Sequence, residues 1–168
     1  MSYSLYDATV LMAKGALTSL DRILSVAEKL PDSATFLAAR LSEDMNPLTF
    51  QVYYATFLAE AVASILSGRE YQQPDDDLDS YEKMHTRIAE VLKELEKTDK
   101  DTVDKIGETM THTTNHEGQV EVPVKALVGV KHMPNVYFHV AMAYAILRKE
   151  GAPLGKRDWS RAFASAYV

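Results

Sequence analysis

The sequence has 168 residues, of which 46% are hydrophobic and 25% charged, and its formal net charge at pH 7 is -6. A chain of this size and composition buries a core and is not intrinsically disordered, so we expect one domain over residues 1–168. The acidic balance argues against a nucleic-acid binder, because an acidic surface repels phosphate backbones.

The chain contains no cysteine, which removes several kinds of site. Disulfides, thiol nucleophiles, iron–sulfur clusters and thiolate zinc sites all require that residue. The N-terminus lacks the basic and apolar regions of a secretory signal, and no apolar run reaches the ~20 residues that span a membrane. We therefore expect a soluble, cytoplasmic protein with no membrane partner.

Apolar residues recur at three- and four-residue steps over residues 4–29. This pattern predicts an amphipathic helix that ends before Pro31. A second, short helix is expected over residues 33–41, with Phe36 and Leu41 turned inward.

A third helix is expected over residues 46–67, where the start and stop signals are clear. Asn46 can cap it, Pro47 suits the first helical position, and Gly68 suits a left-handed residue at the end. Apolar residues surround this helix almost completely, so it is central or lies in an oligomer interface. The polar connection that follows contains Asp75-Asp76-Asp77 and is expected to be a solvated loop.

The fourth helix is expected to open at Asp79 or Ser80, and a weaker helical segment covers residues 102–110. The next stretch, residues 111–130, is rich in Thr and Val and alternates in polarity. That alternation predicts a small β-hairpin or an extended arm inserted between helices.

The last long helix is expected to run from Pro134 to the residue before Gly151. A short tail follows, in which Trp159, Phe163 and Tyr167 recur at helical spacing. Four long helices with short links predict an all-α fold, an antiparallel four-helix bundle with short extra helices and the small insertion.

Two histidines lie on apolar stripes, His85 on the fourth helix and His139 on the last long helix. A pair of core imidazoles can bind a metal or transfer protons. The alternative is that each ring is partly buried and satisfied by one hydrogen bond. His112 and His116 have the four-residue spacing of a zinc site, but the Thr and Asn residues between them form helices poorly and disfavour a metal role.

Other polar residues are candidates for the same site. Asp44 stands in an apolar context, as a capping residue or a pocket acid, and Gln51, Tyr54 and Tyr144 could face one cavity. Positive charge concentrates near the C-terminus, where it can solubilise a helix end or bind an anionic ligand. These cations are Arg148, Lys149, Lys156, Arg157 and Arg161.

Two segments resemble a known family. The first is Leu41-Ser-Glu-Asp-Met-Asn-Pro-Leu-Thr-Phe-Gln-Val, and the second runs from Pro134-Asn-Val-Tyr-Phe-His through Ala143-Tyr-Ala-Ile-Leu-Arg to Gly155-Lys-Arg-Asp. Both resemble motifs of domain-of-unknown-function family number nineteen ninety-three, a branch of the DinB/YfiT-like superfamily. The resemblance spans nearly the whole chain.

This resemblance implies a four-helix bundle that is often dimeric. Many members of the superfamily bind a divalent metal through three histidines, and some are thiol-dependent transferases or isomerases. Here His139 matches one such position, but Ala143 stands where a second histidine would be, and the third helix contains none. Phe57 replaces a polar group common in the branch, which suits a more apolar ligand.

Three functions remain open. The first is a metal-independent enzyme of the isomerase, cyclase or lyase type that uses acid–base chemistry on a largely apolar metabolite. The second is a non-catalytic ligand-binding or dimeric interaction module, and the third is a metal-dependent hydrolase or transferase. We expect no metal or other cofactor, a small-molecule ligand and a homodimer. The expected catalytic groups are His139, His85 and Asp44, and the expected ligand contacts are Gln51, Tyr54, Phe57, Asn135, Tyr144 and Arg148.

Overall fold

A computed structural model of the chain describes the backbone of residues 3–167 and the side chains of residues 3–164. In chain order the helices are α1 (Met12–Ala27), α2 (Ser33–Phe36), α3 (Leu48–Leu66), α4 (Tyr81–Glu96), α5 (Lys100–Gly107), α6 (Val124–Ala126), α7 (Met133–Lys149) and α8 (Lys156–Ser160). Strands β1 (Met110–Asn115) and β2 (Gly118–Pro123) lie between α5 and α6.

Helices α1, α3, α4 and α7 form the four-helix bundle predicted from the sequence. α1 and α3 each pack against both α4 and α7, which places α4 and α7 diagonally opposite each other. The apolar stripes of all four helices meet in one core, which contains Leu20, Leu48, Met84 and Ile146 without exposed surface. Burial of these stripes is the main force that holds the helices together.

π-helical turns precede two of the bundle helices. Asp7–Leu11 leads into α1, and Leu127–His132 leads into α7. The first helix therefore agrees with the expected span. The last long helix begins at Met133, next to the expected Pro134, and follows directly on a helical segment that the sequence did not predict.

Two details of the α2–α3 region differ from the sequence prediction. Leu41 is not turned inward but is 39% exposed, because α2 ends at Phe36 and the chain beyond it is loop. The side chain of Asn46 does not cap α3, since Pro47 is the residue that precedes the helix and adopts an extended ψ of 173°. Gly68 has the expected left-handed conformation, with φ 66°.

The connection from α3 to α4 is exposed at its three consecutive aspartates, as predicted. Tyr53 anchors its middle, where the hydroxyl donates to the carbonyl of Pro74 (3.1 Å) and accepts from Gln73 Nε2 (2.7 Å). The connection ends at Ser80, whose side chain caps α4 by accepting from the backbone N–H of Lys83. This confirms Ser80 as a start of the fourth helix.

The predicted hairpin is present as an antiparallel pair in which Thr113 lies opposite Val120. The prediction was wrong beyond Pro123, where residues 124–132 are helical instead of extended. Proline has no N–H to continue the hydrogen bonds of a strand, but it is suited to the start of a helix. The strand therefore ends at Pro123 and a helix begins directly after it.

The C-terminal segment returns across α1. α8 and the 3-10 helix Arg161–Tyr167 both pack on that helix, and the Ser19 hydroxyl donates to the carbonyl of Trp159. The helical spacing of Trp159 and Phe163 agrees with the prediction, whereas the Tyr167 side chain lies outside the described residues. Over residues 3–167, each helix is too short or too polar to cross a bilayer.

The contact between α1 and Phe163 depends on Gly15. A Cβ at this position would lie 2.9 Å from Phe163 Cδ1 and 3.3 Å from its Cα. We expect Gly15→Ala to lower the free energy of unfolding by about 1 kcal/mol, because crowding costs about 1–3 kcal/mol and the gain in helix propensity is only about 1 kcal/mol. Urea unfolding measures the change.

Gly129→Ala is the matched control, since nothing lies within 4 Å of its added Cβ. This substitution should leave the protein unchanged or slightly more stable. Equal stability of the two variants would show that the C-terminal segment does not pack tightly on α1.

Candidate functional site

His139 lies on the face of α7 that packs against α3, and only 8% of the residue is exposed. Its Nδ1 atom is 2.8 Å from Oε1 of Gln51 on α3. The amide nitrogen of Gln51 in turn donates to the backbone carbonyl of Asn46 at 2.9 Å. A short chain of hydrogen bonds therefore links the loop before α3 to the imidazole.

This chain determines which imidazole nitrogen carries the proton. The Asn46 carbonyl can only accept, so the Gln51 side chain must present its NH₂ group there and its oxygen to His139. The Gln51 oxygen also only accepts, so Nδ1 of His139 is the donor. The lone pair of the neutral ring is then on Nε2, which makes no hydrogen bond among the described residues.

Burial keeps the His139 ring neutral. Removal of the imidazole from water lowers its pKa to about 4, because the charged form loses more hydration than the neutral form. At neutral pH the ring is therefore an uncharged hydrogen-bond acceptor at Nε2.

Aromatic rings surround His139 on its outer side. Tyr54 lies 4.8 Å from the imidazole between ring centroids, Phe138 lies 5.2 Å away at 90°, and Phe50 lies 6.1 Å away. Phe50 stacks on Tyr54, and the row continues through Phe57 to Tyr71. We call this surface the aromatic face; it comprises Phe50, Tyr54, Phe57, Tyr71 and Phe138.

The aromatic face is open to solvent at both ends, since Phe138 is 50% exposed and Tyr71 is 38% exposed. Sequence reasoning placed Gln51, Tyr54 and Phe57 in the site and the structure brings them together. The sequence did not identify Phe50 and Phe138 as site residues, although Phe50 lies one helical turn before Tyr54 and Phe138 is adjacent to His139.

His85 does not meet His139. Its Nδ1 is 2.6 Å from Asp21 Oδ1 of α1, and its Nε2 is 3.5 Å from Glu28 Oε2, too poorly aligned for a hydrogen bond. The two histidines lie on α4 and α7, which are diagonal in the bundle. Nearby, burial and the charge of Glu28 raise the pKa of Tyr81 to about 12, so its phenol stays protonated.

The remaining predicted site residues lie elsewhere. Asp44 is exposed in the loop before α3 and does not lie in a pocket, because that loop runs over the surface. Asn135 and Arg148 are also exposed, and each donates to a backbone carbonyl of its own segment. Tyr144 lies on the opposite side of α7, beside Trp159, because a five-residue step turns it about 140° away from His139.

His132 is a histidine whose burial the sequence did not reveal. It is 7% exposed, its Nδ1 has no hydrogen-bond partner in the described part of the chain, and burial followed by the charge of Lys131 lowers its pKa. It lies two helical turns before His139, so its spacing was an available signal. The sequence places His132 before the helix expected from Pro134, whereas the residue lies in the π-helical segment that leads into α7.

Four clefts among the described residues lie away from His139. A cleft of about 610 Å³ separates the α3–α4 connection from α4, and Tyr53, Asp75 and Arg87 line it. Three others of about 200 to 400 Å³ are also lined by other residues. None of these four clefts is the single cavity expected to be faced by Gln51, Tyr54 and Tyr144.

Comparison with known proteins agrees with this architecture. Residues 5–160 match the model of a family described as a domain of unknown function, DUF1993. The chain belongs to the DUF1993 family. A search of curated proteins finds no match.

A solved structure of a DinB family member protein from Shewanella denitrificans is similar to this DUF1993 chain. Its TM-score is 0.83 and its sequence identity 29%, over 92% of this chain and 90% of that chain. The likeness supports the DinB/YfiT-like assignment made from the sequence motifs.

The three-histidine metal site of the DinB-like superfamily does not fit this DUF1993 chain. His139 offers one lone pair, at Nε2, and the residue one turn further along α7 is the buried Ala143. Within residues 3–164, no three His, Asp or Glu side chains lie close enough to hold a metal ion. A catalytic metal requires about three protein ligands, and these residues supply one imidazole.

The neutral state of His139 predicts a pH-dependent stability. An unfolded histidine has a pKa near 6.5, so between about pH 6.5 and pH 4 the unfolded chain binds a proton that the folded protein does not. Stability is complete above pH 6.5 and falls as the pH is lowered. Urea unfolding should show wild type losing up to about 3 kcal/mol relative to His139→Gln between pH 7 and pH 4.

His116→Gln is the matched control for this measurement. The His116 side chain is 88% exposed, so folding changes its surroundings little. If His139→Gln shows no more change than this control, the imidazole is not desolvated in the folded protein.

Proposed function

We propose that this DUF1993 chain is a small-molecule-binding protein whose ligand lies on the aromatic face and donates a hydrogen bond to Nε2 of His139. The observation that carries this proposal is the link from Asn46 through Gln51 to His139, which fixes the lone pair on Nε2. A buried imidazole held in one tautomer is a directional acceptor, and such groups orient ligands in otherwise apolar sites.

The surroundings define the class of ligand. Tyr54, Phe57 and Phe138 offer ring faces and edges, which favour a flat and largely apolar molecule. Because the imidazole is neutral, it offers no charge to an anion, and its free nitrogen can only accept. The ligand therefore carries a hydroxyl or N–H donor at one edge of an apolar ring.

Binding is supported more strongly than catalysis by the pKa of His139. A ring with a pKa of about 4 holds a transferred proton weakly at neutral pH, so it can remove only an acidic proton from a ligand. Acid–base chemistry of the isomerase or lyase type is the second candidate function, and the lone pair on Nε2 of His139 is the observation that favours it.

Phenol and anisole test the binding proposal. The two rings are alike in size, but only phenol has a donor. We expect wild type to bind phenol about three- to tenfold more tightly than anisole, because one hydrogen bond contributes about that difference in affinity. The NMR signals of Tyr54 and Phe138 should shift when either ligand binds. His139→Phe should remove this preference, and His112→Phe, on an exposed strand, should retain it.

Two results would overturn the binding proposal. One is equal affinity for phenol and anisole in wild type. The other is a dimer that Phe138→Lys converts into a monomer, since the aromatic face would then be an interface between two copies of the chain. Analytical ultracentrifugation measures the second.

A screen of ring-containing metabolites tests the catalytic candidate. If His139 is the base, turnover should be lost in His139→Gln, and kcat/KM should be constant from about pH 6 to pH 8, because a group with a pKa of about 4 is already deprotonated there. Activity that survives in His139→Gln, or that rises with a midpoint near pH 7, would exclude His139 as the base.

A further inference from the structure

A second apolar surface lies on the side of α7 opposite His139. Tyr137, Ala141 and Tyr144 recur at steps of four and three residues, so they form one stripe on that side. Residues 156–164 border this stripe and leave two clefts beside it. The larger, about 350 Å³, is bounded by Met12, Tyr137 and Phe163, and the smaller, about 200 Å³, by Ala141, Tyr144 and Lys156.

The two clefts share one wall, the side chain of Trp159. Together they follow α7 from Tyr137 to Tyr144, a distance of about 10 Å at the helical rise per residue. We call this surface the Trp159 groove. It is long and narrow, which suits an extended chain better than a compact ring.

Charge is distributed unevenly along the Trp159 groove. Its larger cleft contains no charged side chain, whereas Lys156 lines the smaller one. Lys156 makes no ion pair or hydrogen bond through its side chain with residues 3–164. The neighbouring carboxylate of Asp158 is already occupied by Arg22 and by the backbone N–H of Gly155.

Two other cations of the basic C-terminal segment are directed elsewhere. Lys149 donates to the carbonyl of Arg40, and Arg148 donates to the carbonyl of Ala152. Lys156 is therefore the lysine of that segment that stands at the end of an apolar groove without a partner among the described side chains.

The indole N–H of Trp159 is fully buried and has no acceptor within residues 3–164. Because this atom has no accessible surface, it does not contact a molecule in the groove, and the rest of the indole ring forms the shared wall.

We propose that the Trp159 groove binds an aliphatic monocarboxylate free in solution. The hydrocarbon chain lies in the larger cleft between Tyr137 and Phe163, and the carboxylate lies at the Lys156 end. There the ammonium group of Lys156 neutralises the charge. The groove and the His139 site lie on opposite sides of α7, so this site does not depend on the proposed function.

The chain has one tryptophan, so its fluorescence and its one indole N–H signal in NMR report on the groove alone. Octanoate, octanol and octylammonium are the probes, each titrated into the full chain. We expect octanoate to bind about fivefold more tightly than octanol and octylammonium to bind most weakly.

Substitutions separate the carboxylate contact from general apolar binding. Lys156→Ala should weaken octanoate about fivefold and leave octanol unchanged. Lys149→Ala is the matched control and should have no effect. Ala141→Leu should fill the smaller cleft and lower the affinity for both octanoate and octanol. If Ala141→Leu does not fold, Lys156→Ala still tests the proposal, because Lys156 lies at the surface.

Three results would overturn the proposal. Equal affinity for the three probes would show a simple apolar patch. An octanoate affinity unchanged in Lys156→Ala would remove the carboxylate contact. If Trp159 fluorescence changes with protein concentration and not with any of the probes, the groove is an interface between two copies of this chain.

Discussion

The hydrogen bond from the Gln51 amide to the carbonyl of Asn46 is the constraint on which the His139 site depends. A backbone carbonyl cannot donate, so this one contact determines which end of the Gln51 amide is the nitrogen. The amide oxygen then faces His139 and determines which imidazole nitrogen carries the proton. Packing of α3 against α7 brings the two side chains together, but packing alone would permit either tautomer. The loop before α3 thus controls the chemistry of a ring on another helix.

Much of the fold could be predicted because its signals are local. Ser80, Gly68 and the alternation of the hairpin each act within a few residues of where they stand, and each was confirmed. The cap at Asn46 failed because Pro47 moved the helix start by one residue. A backbone carbonyl has no sequence signature, so the contact between Asn46 and Gln51 could not be foreseen.

The candidate site was harder to predict because it depends on which helices are neighbours. Apolar stripes indicate that His85 and His139 face inward, but they do not say that α4 and α7 are diagonal. His85 of α4 instead pairs with Asp21 of α1, so it lies between α1 and α4. Tyr144 was different, since its angular separation from His139 follows from helix geometry alone.

Tyr53 has a consequence for how the chain folds. Its hydroxyl pins the middle of the α3–α4 connection at Pro74 and Gln73, and Arg87 of α4 pairs with Glu60 of α3 at 2.5 Å beyond it. Each pinned point is a further loop closure, and each closure costs chain entropy that its contacts must offset. The α3–α4 connection is therefore ordered at a cost in chain entropy, which the Tyr53 hydroxyl and the Arg87–Glu60 pair offset.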